Sequence, residues 1–363
     1  MKILIDIGHP GHVHLFKNLI SALKSKGNTL LVTVRDIPAA KTLLKLYNIP
    51  HIDFGSKSDS IKGKFINQII YDLRLRKIVN EHKIDLAIGS SITITHVSKI
   101  SKIKSIVLDD DDDEVEPLMT KFGHPFADLV LSPDALKNKR KKRETIYYAG
   151  YHELAYLHPN RFTPDEKVLE TSKIKKGEKY FVLRFNSFKA HHDIGVQGLS
   201  IENKRKIIQL LLEYGKVFIT TEREIDKEFE QYKITMPPHN IHSFIAYSTM
   251  LLGDSQTMTS EAAVLGIPSI RSNSFAGRIS YLEEEEKKYG LTFGFKPNQT
   301  DQMFIKVKEL LNTPNLREEW QKKRKKLLED KIDVTAFMVW FVENYPGSVS
   351  VMKETPEYQF SFK

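Results

Sequence analysis

The stretch "MKILIDIGHPGHVHLFKNLI", Met1 to Ile20, breaks from alternating apolar residues into Gly8-His9-Pro10-Gly11-His12 before a helical pattern begins. Glycines at such a turn leave backbone N–H groups at the carboxyl end of a first strand, where open α/β sheets bind anionic ligands. The same turn also serves a simpler end, in which glycine supplies backbone freedom and a histidine caps the helix. A second candidate is "LLGDSQTMTSEAAVLGIPSIRSNSFAG", Leu251 to Gly277. A strand ends at Gly253-Asp254, hydroxyl residues open a helix, and Gly266-Ile267-Pro268 closes it. Ser255 and Thr257, with the N–H groups of that helix end, can hold a diphosphate. Glu261, one to two turns further on, is placed to accept hydrogen bonds from ribose hydroxyls. N-capping by Asp254 or Ser255 beside a solvated glutamate is the structural alternative.

Three charged segments add to this set. "LDDDDDEVEP", Leu108 to Pro117, carries five aspartates and Glu114, enough oxygen ligands for a hard cation, although acidic runs are usually solvated. "VLRFNSFKAHHDIG" brings Arg184, Asn186, His191, His192 and Asp193 to the end of a strand. A guanidinium there pairs bidentately with a phosphate or carboxylate, and the histidines and Asp193 read as polar contacts rather than metal ligands. "KNKRKKRE" places six basic residues within Lys137 to Arg143, a solvated loop or a docking site for anionic lipid head groups.

The elements that must position these residues follow a βα alternation. "KILIDI", "TLLVTV", "IDLAIG", "KSIVLD", "DLVLS" and "TIYYAG" read as strands of a buried parallel sheet, with amphipathic segments such as Val13 to Lys24 and Ile66 to Asn80 between them. A second series follows residues 151–178, an expected interdomain connection: "YFVLRF", a helix over Ile201 to Glu213, "KVFITT", "MLLGD", a helix over Gln256 to Leu265, and "PSIRS". The expected domains are 1–160, Rossmann-like; 175–332, Rossmann-like; and 333–363, a C-terminal helix and tail packing back towards the first domain. Two similar halves imply a cleft between them. The aromatic helix "DVTAFMVWFVENYP" reads as core packing, and the tail beyond Pro346 as an extended arm.

At 363 residues the chain exceeds one ordinary core, at about 150 residues per domain. The absence of cysteine excludes disulfides and thiolate metal sites and fits a reducing cytoplasm. No apolar segment reaches signal-peptide or membrane-spanning length, so a soluble protein is expected. A net charge of +9 favours anionic partners, and the lack of RNA-reading or zinc-finger motifs sets nucleic acid aside.

"GDSQTMTSEAAVLGIPSI" resembles the nucleotide-binding segment of the non-hydrolysing UDP-N-acetylglucosamine 2-epimerases and of the N-acetylglucosaminyltransferase that makes lipid II, both of GT-B fold. "DIGHPGHVHLFKNLI" resembles the first turn of that transferase. The combination of "GHPGHVHLF", "FADLVLSP", "RFNSFKAHHDIG", "SEAAVLGIPSIR" and "DVTAFMVWFVENYP" is similar to the domain of unknown function 354 family, chiefly prokaryotic and glycosyltransferase-like.

The resemblance implies an α/β protein of GT-B fold, two Rossmann-like doubly wound domains facing across a cleft. It implies a ribose contact at Glu261, phosphate contacts at Ser255, Gln256 and Thr257, and donor or acceptor contacts at Gly8 and Gly11. His12 occupies the place of a candidate catalytic histidine, and Glu114 that of an acidic residue for acceptor or proton chemistry; Arg184 and Asn186 join the nucleotide-sugar set. The implied function is metal-independent transfer of a sugar from a nucleotide diphosphate sugar, UDP-linked, to a glycan or lipid-linked acceptor in polysaccharide biosynthesis. No cofactor is tightly bound in this reading. The protein would be cytoplasmic, with peripheral contact to the inner membrane face through Lys137 to Arg143. A UDP-sugar 2-epimerase and a non-catalytic nucleotide-sugar-binding protein are the alternatives, and the epimerase histidine-arginine motif is not reproduced.

Overall fold

The computed structural model describes residues 1–54, 61–140, 144–185, 198–221 and 225–363, with 61–65 described by backbone alone. The chain forms two compact units: Met1–Arg161 with Lys331–Lys363, and Phe162–Asp330.

The first unit alternates strands and helices: β1 (Lys2–Ile7), α1 (Pro10–Ser25), β2 (Thr29–Val34), α2 (Pro38–Leu46), β3 (Ile52–Asp53), α3 (Ile61–His82), β4 (Leu86–Gly89), α4 (Ile92–Ile100), β5 (Lys104–Leu108), β6 (Leu129–Pro133), β7 (Thr145–Tyr148) and α5 (Leu154–Leu157). Its seven strands lie in the order β3-β2-β1-β4-β5-β6-β7, all parallel. The apolar runs read as strands are buried on both faces, as helices on both sides of a parallel sheet require. The strand order reverses at β1, so the crevice outside the carboxyl ends of β1 and β4 is the favoured ligand position. β3 escapes sequence reading because only two residues pair.

The second unit holds α6 (Lys167–Thr171), β8 (Tyr180–Arg184), α7 (Ile201–Leu212), β9 (Lys216–Thr220), α8 (Ile241–Tyr247), β10 (Met250–Gly253), α9 (Gln256–Val264), β11 (Ser269–Ser272), α10 (Ser280–Lys287), β12 (Thr292–Phe295), α11 (Thr300–Leu311) and α12 (Leu316–Asp330). Its parallel sheet runs β12-β11-β10-β8-β9, reversing at β8. Gly253 is dictated by this packing, since a Cβ there would overlap the Arg184 carbonyl of the neighbouring strand.

The chain then returns to the first unit through α13 (Val334–Glu343) and α14 (Gly347–Glu354). Asp333 caps α13, accepting the Ala336 N–H at 3.0 Å, and holds Arg161 at 2.7 Å. Thr335 donates to the Ala155 carbonyl at 2.6 Å. The tail beyond Pro346 is not an extended arm. It forms α14 and a 3-10 turn, Pro356–Phe362, because Tyr358 and Phe362 fold back on Trp340 with ring centroids 4.8 and 5.4 Å apart. No helix among the described residues is long and apolar enough to cross a membrane.

Candidate functional site

In the first unit the chemistry-bearing residues collect on the loops after β1, β4, β5 and β7. The opening turn is used differently from the expectation. His9 caps α1, its Nδ1 accepting the Gly11 N–H at 3.1 Å, and His12 Nδ1 accepts the Gly8 N–H at 3.3 Å. The two glycine amides expected to face an anion therefore donate to histidines. Neither glycine has positive φ. Burial, reinforced by His9, His152 and Arg35 and opposed by Asp109, holds the His12 pKa well below 6.5. The imidazole is neutral near pH 7, and because Nδ1 accepts, Nε2 carries the proton. His12 is thus set up as a hydrogen-bond donor rather than the proton acceptor the resemblance implied.

The loop after β5 sorts its acids by partner. Asp109 is buried and receives His124 Nε2 at 2.6 Å and Arg140 Nη1 at 3.0 Å. Burial alone would raise its pKa, but the histidine hydrogen bond and the guanidinium outweigh this and hold it below the usual carboxylate value. Asp113 accepts from the same Arg140 at 3.0 Å. Arg140, grouped by sequence with the basic docking loop, therefore turns its guanidinium inward; Lys137 and Lys139 stay exposed, and 141–143 lie outside the described residues. Burial and the charges of Asp110, Asp109 and Glu116 push the Asp111 pKa well above the ordinary value. Carboxylate oxygens of Asp109, Asp110 and Asp111 lie within 4.8 Å of one another, the spacing a cation would need, but Asp109 is already committed to His124 and Arg140. Glu114, the expected acidic group, stands exposed in a turn.

A residue the sequence reading gave no role completes this edge. His152, four residues beyond the end of β7, places Nδ1 3.0 Å from Asp110. A carboxylate only accepts, so Nδ1 donates and the Nε2 lone pair points away; Nε2 is buried without a hydrogen-bond partner among the described residues. The C-terminal segment fixes this loop. Ala149 donates to Gln359 at 2.6 Å and accepts from Ile332 at 2.9 Å, and a Cβ on Gly150 would overlap Val334. The aromatic helix thus does more than fill a core. The available signal was a histidine just past a strand that ends on the same sheet edge as the aspartates.

In the second unit the registers align Thr220, Arg184, Gly253, Arg271 and Gly294 across the carboxyl edge of the sheet. Arg184 is buried, with Nη1 3.4 Å from Thr220 Oγ1. Arg271, also without an expected role, is wholly buried and pairs with Glu283 at 3.1 Å. Ser255 caps α9 by accepting the Met258 N–H at 3.3 Å, and Gln256 and Thr257, half-buried, head the helix. Glu261 is buried rather than solvated, its Oε1 held by His242 Nε2 at 2.9 Å. Arg184, Ser255, Gln256, Thr257 and Glu261 thus fall on two adjacent strand ends and the helix that follows. Asn186 and the His191-His192-Asp193 cluster lie outside the described residues.

Two doubly wound parallel units with loops gathered at their strand ends define a GT-B class α/β protein. The chain belongs to the family described as a protein of unknown function, DUF354, whose model matches residues 1–346. An uncharacterized protein of Methanocaldococcus jannaschii is 25% identical over 303 residues, covering 79% of this chain and 86% of its own. Among solved structures, the M. jannaschii UDP-GlcNAc 2-epimerase in complex with UDP-GlcNAc and UDP is similar with a TM-score of 0.64 at 14% identity, over 89% of this chain and 99% of that one. The spinosyn forosaminyltransferase SpnP is similar with a TM-score of 0.66 at 14% identity, over 96% and 99%.

Proposed function

We propose that the protein is a nucleotide-sugar enzyme, specifically a glycosyltransferase that moves a sugar from a UDP-linked donor to a glycan or lipid-linked acceptor without a tightly bound metal. The observation that carries this reading is the α9 end of the second unit. Capped by Ser255 and headed by Gln256 and Thr257, it follows a strand end flanked in register by Arg184 and Arg271. A diphosphate is stabilised there by the helix end and guanidinium charge, which do the work of a cation at the leaving group. Glu261 lies about 9 Å further along the helix at 1.5 Å per residue, suited to a ribose hydroxyl.

The first unit supplies the proton chemistry. His152, oriented by Asp110, takes the acceptor's hydroxyl proton at Nε2 as the sugar bond forms, while His12 donates a hydrogen bond from its own Nε2. The commitment of Asp109 and Asp113 to Arg140 supports a metal-free site. The test is a calorimetric screen of UDP and UDP-sugars with and without EDTA, followed by product analysis. UDP binding that survives chelation, with donor turnover only when an acceptor is added, is expected. Interconversion of UDP-sugars without acceptor would make the protein an epimerase, and magnesium-dependent binding would assign the aspartates to a metal.

A further inference from the structure

The helix α3 is apolar on two faces. Tyr71, Leu75 and Val79 are buried against the sheet. Ile66, Ile69, Ile70 and Leu73 recur at helical spacing on the opposite side and are 57%, 47%, 38% and 57% exposed. Four bulky aliphatic side chains in one solvent-facing stripe carry a hydration cost that a packed helix in a lone domain ordinarily avoids.

The stripe does not stand alone. A π-helical turn, Met119–Gly123, and a 3-10 turn, His124–Phe126, expose Phe122 and Phe126, with Leu118 just ahead of them at 64% exposure. His96 on α4 joins the two regions: its Nδ1 bonds Asp72 of α3 and its Nε2 the Phe122 carbonyl, both at 2.8 Å, while its ring meets Phe126 edge-on. The helix that carries the aliphatic stripe and the turns that carry the two phenylalanines are therefore pinned to each other through one histidine.

Charge on this face has one dominant sign. Arg76 and Lys77, just beyond Leu73, are exposed, Arg74 donates from Nη1 to the Phe54 carbonyl at 2.6 Å, and Lys121 sits exposed beside Phe122. The acids are largely engaged: Asp72 with His96, Asp128 with Lys99 and Lys104, and Glu81 with Lys77 at 3.7 Å; exposed Glu116, ahead of Leu118, marks the edge. An apolar stripe bordered by Lys and Arg matches an anionic interface, where aliphatic side chains enter the acyl boundary and bases meet phosphates. A second copy is the poorer occupant, because two α3 helices paired side by side in parallel would oppose Arg76 and Lys77 to the same bases of the partner.

We infer that the face formed by α3 and the 118–126 turns docks the protein on an anionic lipid bilayer. It draws on none of the bases from Lys137 to Arg143, and it requires no particular reaction.

The experiment is co-sedimentation of the full chain with vesicles of phosphatidylcholine and phosphatidylglycerol in equal amounts, beside vesicles of phosphatidylcholine alone. The wild type should pellet with the mixed vesicles, weakening as salt rises. Ile69→Glu with Leu73→Glu should reduce partitioning at least tenfold, and Arg76→Gln with Lys77→Gln roughly twenty-five-fold, at about fivefold per base. Circular dichroism melting checks the fold, and Ile69→Ser with Leu73→Ser serves if the glutamates unfold it. A wild type that stays in the supernatant, or binding indifferent to both pairs, overturns the inference. So does a solution dimer that Ile69→Glu with Leu73→Glu converts to monomer, which would give the face to a second copy.

Discussion

The carboxyl edges of the two sheets share a topology and differ in chemistry. In the first unit the loops there carry His12, His152 and the aspartates from 109 to 113, titratable side chains sorted by their hydrogen bonds. In the second the edge carries Arg184, Gly253 and Arg271 in register, followed by the Ser255-capped helix, so two guanidiniums and a helix N-terminus stand where the first unit has histidines and aspartates. The proposed function assigns to the first edge a proton acceptor and to the second a charge sink for a leaving group.

The sharpest break of this contrast is at His152. His152→Gln should lower donor turnover by about 100- to 10,000-fold, as for the loss of a general base. A rate within threefold of wild type would remove proton transfer from this histidine. His12→Gln distinguishes its partner: glutamine retains an N–H donor, so turnover should stay within about tenfold, whereas a loss comparable to that of His152→Gln would return His12 to the role of base.

The glycines sharpen the comparison through stability. Gly253→Ala forces a Cβ into the Arg184 carbonyl and should cost about 1–3 kcal/mol in urea unfolding. Gly8→Ala meets only His12 at 3.8 Å, ordinary contact, and should stay within about 0.5 kcal/mol. Equal costs would erase the distinction between a packed strand end and an open turn.

A smaller effect concerns pH. His12 has its folded pKa well below 6.5, so as pH falls from 6.5 the unfolded chain binds the proton first and stability declines until the folded pKa is passed. His12→Gln should flatten that decline by up to about 1.4 kcal/mol per pH unit, leaving the loss tied to Asp109 below pH 3.8 in place. An unchanged slope would show that the imidazole titrates normally.

Much of the fold was legible because buried parallel strands write themselves as continuous apolar runs: "KILIDI" and "TLLVTV" match β1 and β2 residue for residue. The Ser255 cap and the helix it opens were equally readable, since cap chemistry is local. What stayed hidden depends on distance in sequence. Asp110 and His152 are 42 positions apart, and nothing in a run of five aspartates tells which one meets the histidine and which meets Arg140. Glu114 was singled out by the resemblance, which implies an acidic residue there for acceptor or proton chemistry, and the turn leaves it exposed. The Glu261–His242 bond was missed for the same reason, because α8 and α9 meet only once the sheet has formed.

The division of labour is tested most directly by calorimetric titration of UDP into the wild type, Glu261→Ala and His152→Gln. A hydrogen bond to a charged acceptor contributes about 1.5 to 3 kcal/mol, so Glu261→Ala should weaken UDP roughly tenfold or more, and His152→Gln should leave it unchanged. UDP binding indifferent to Glu261→Ala in a folded variant, or weakened by His152→Gln instead, would contradict the account.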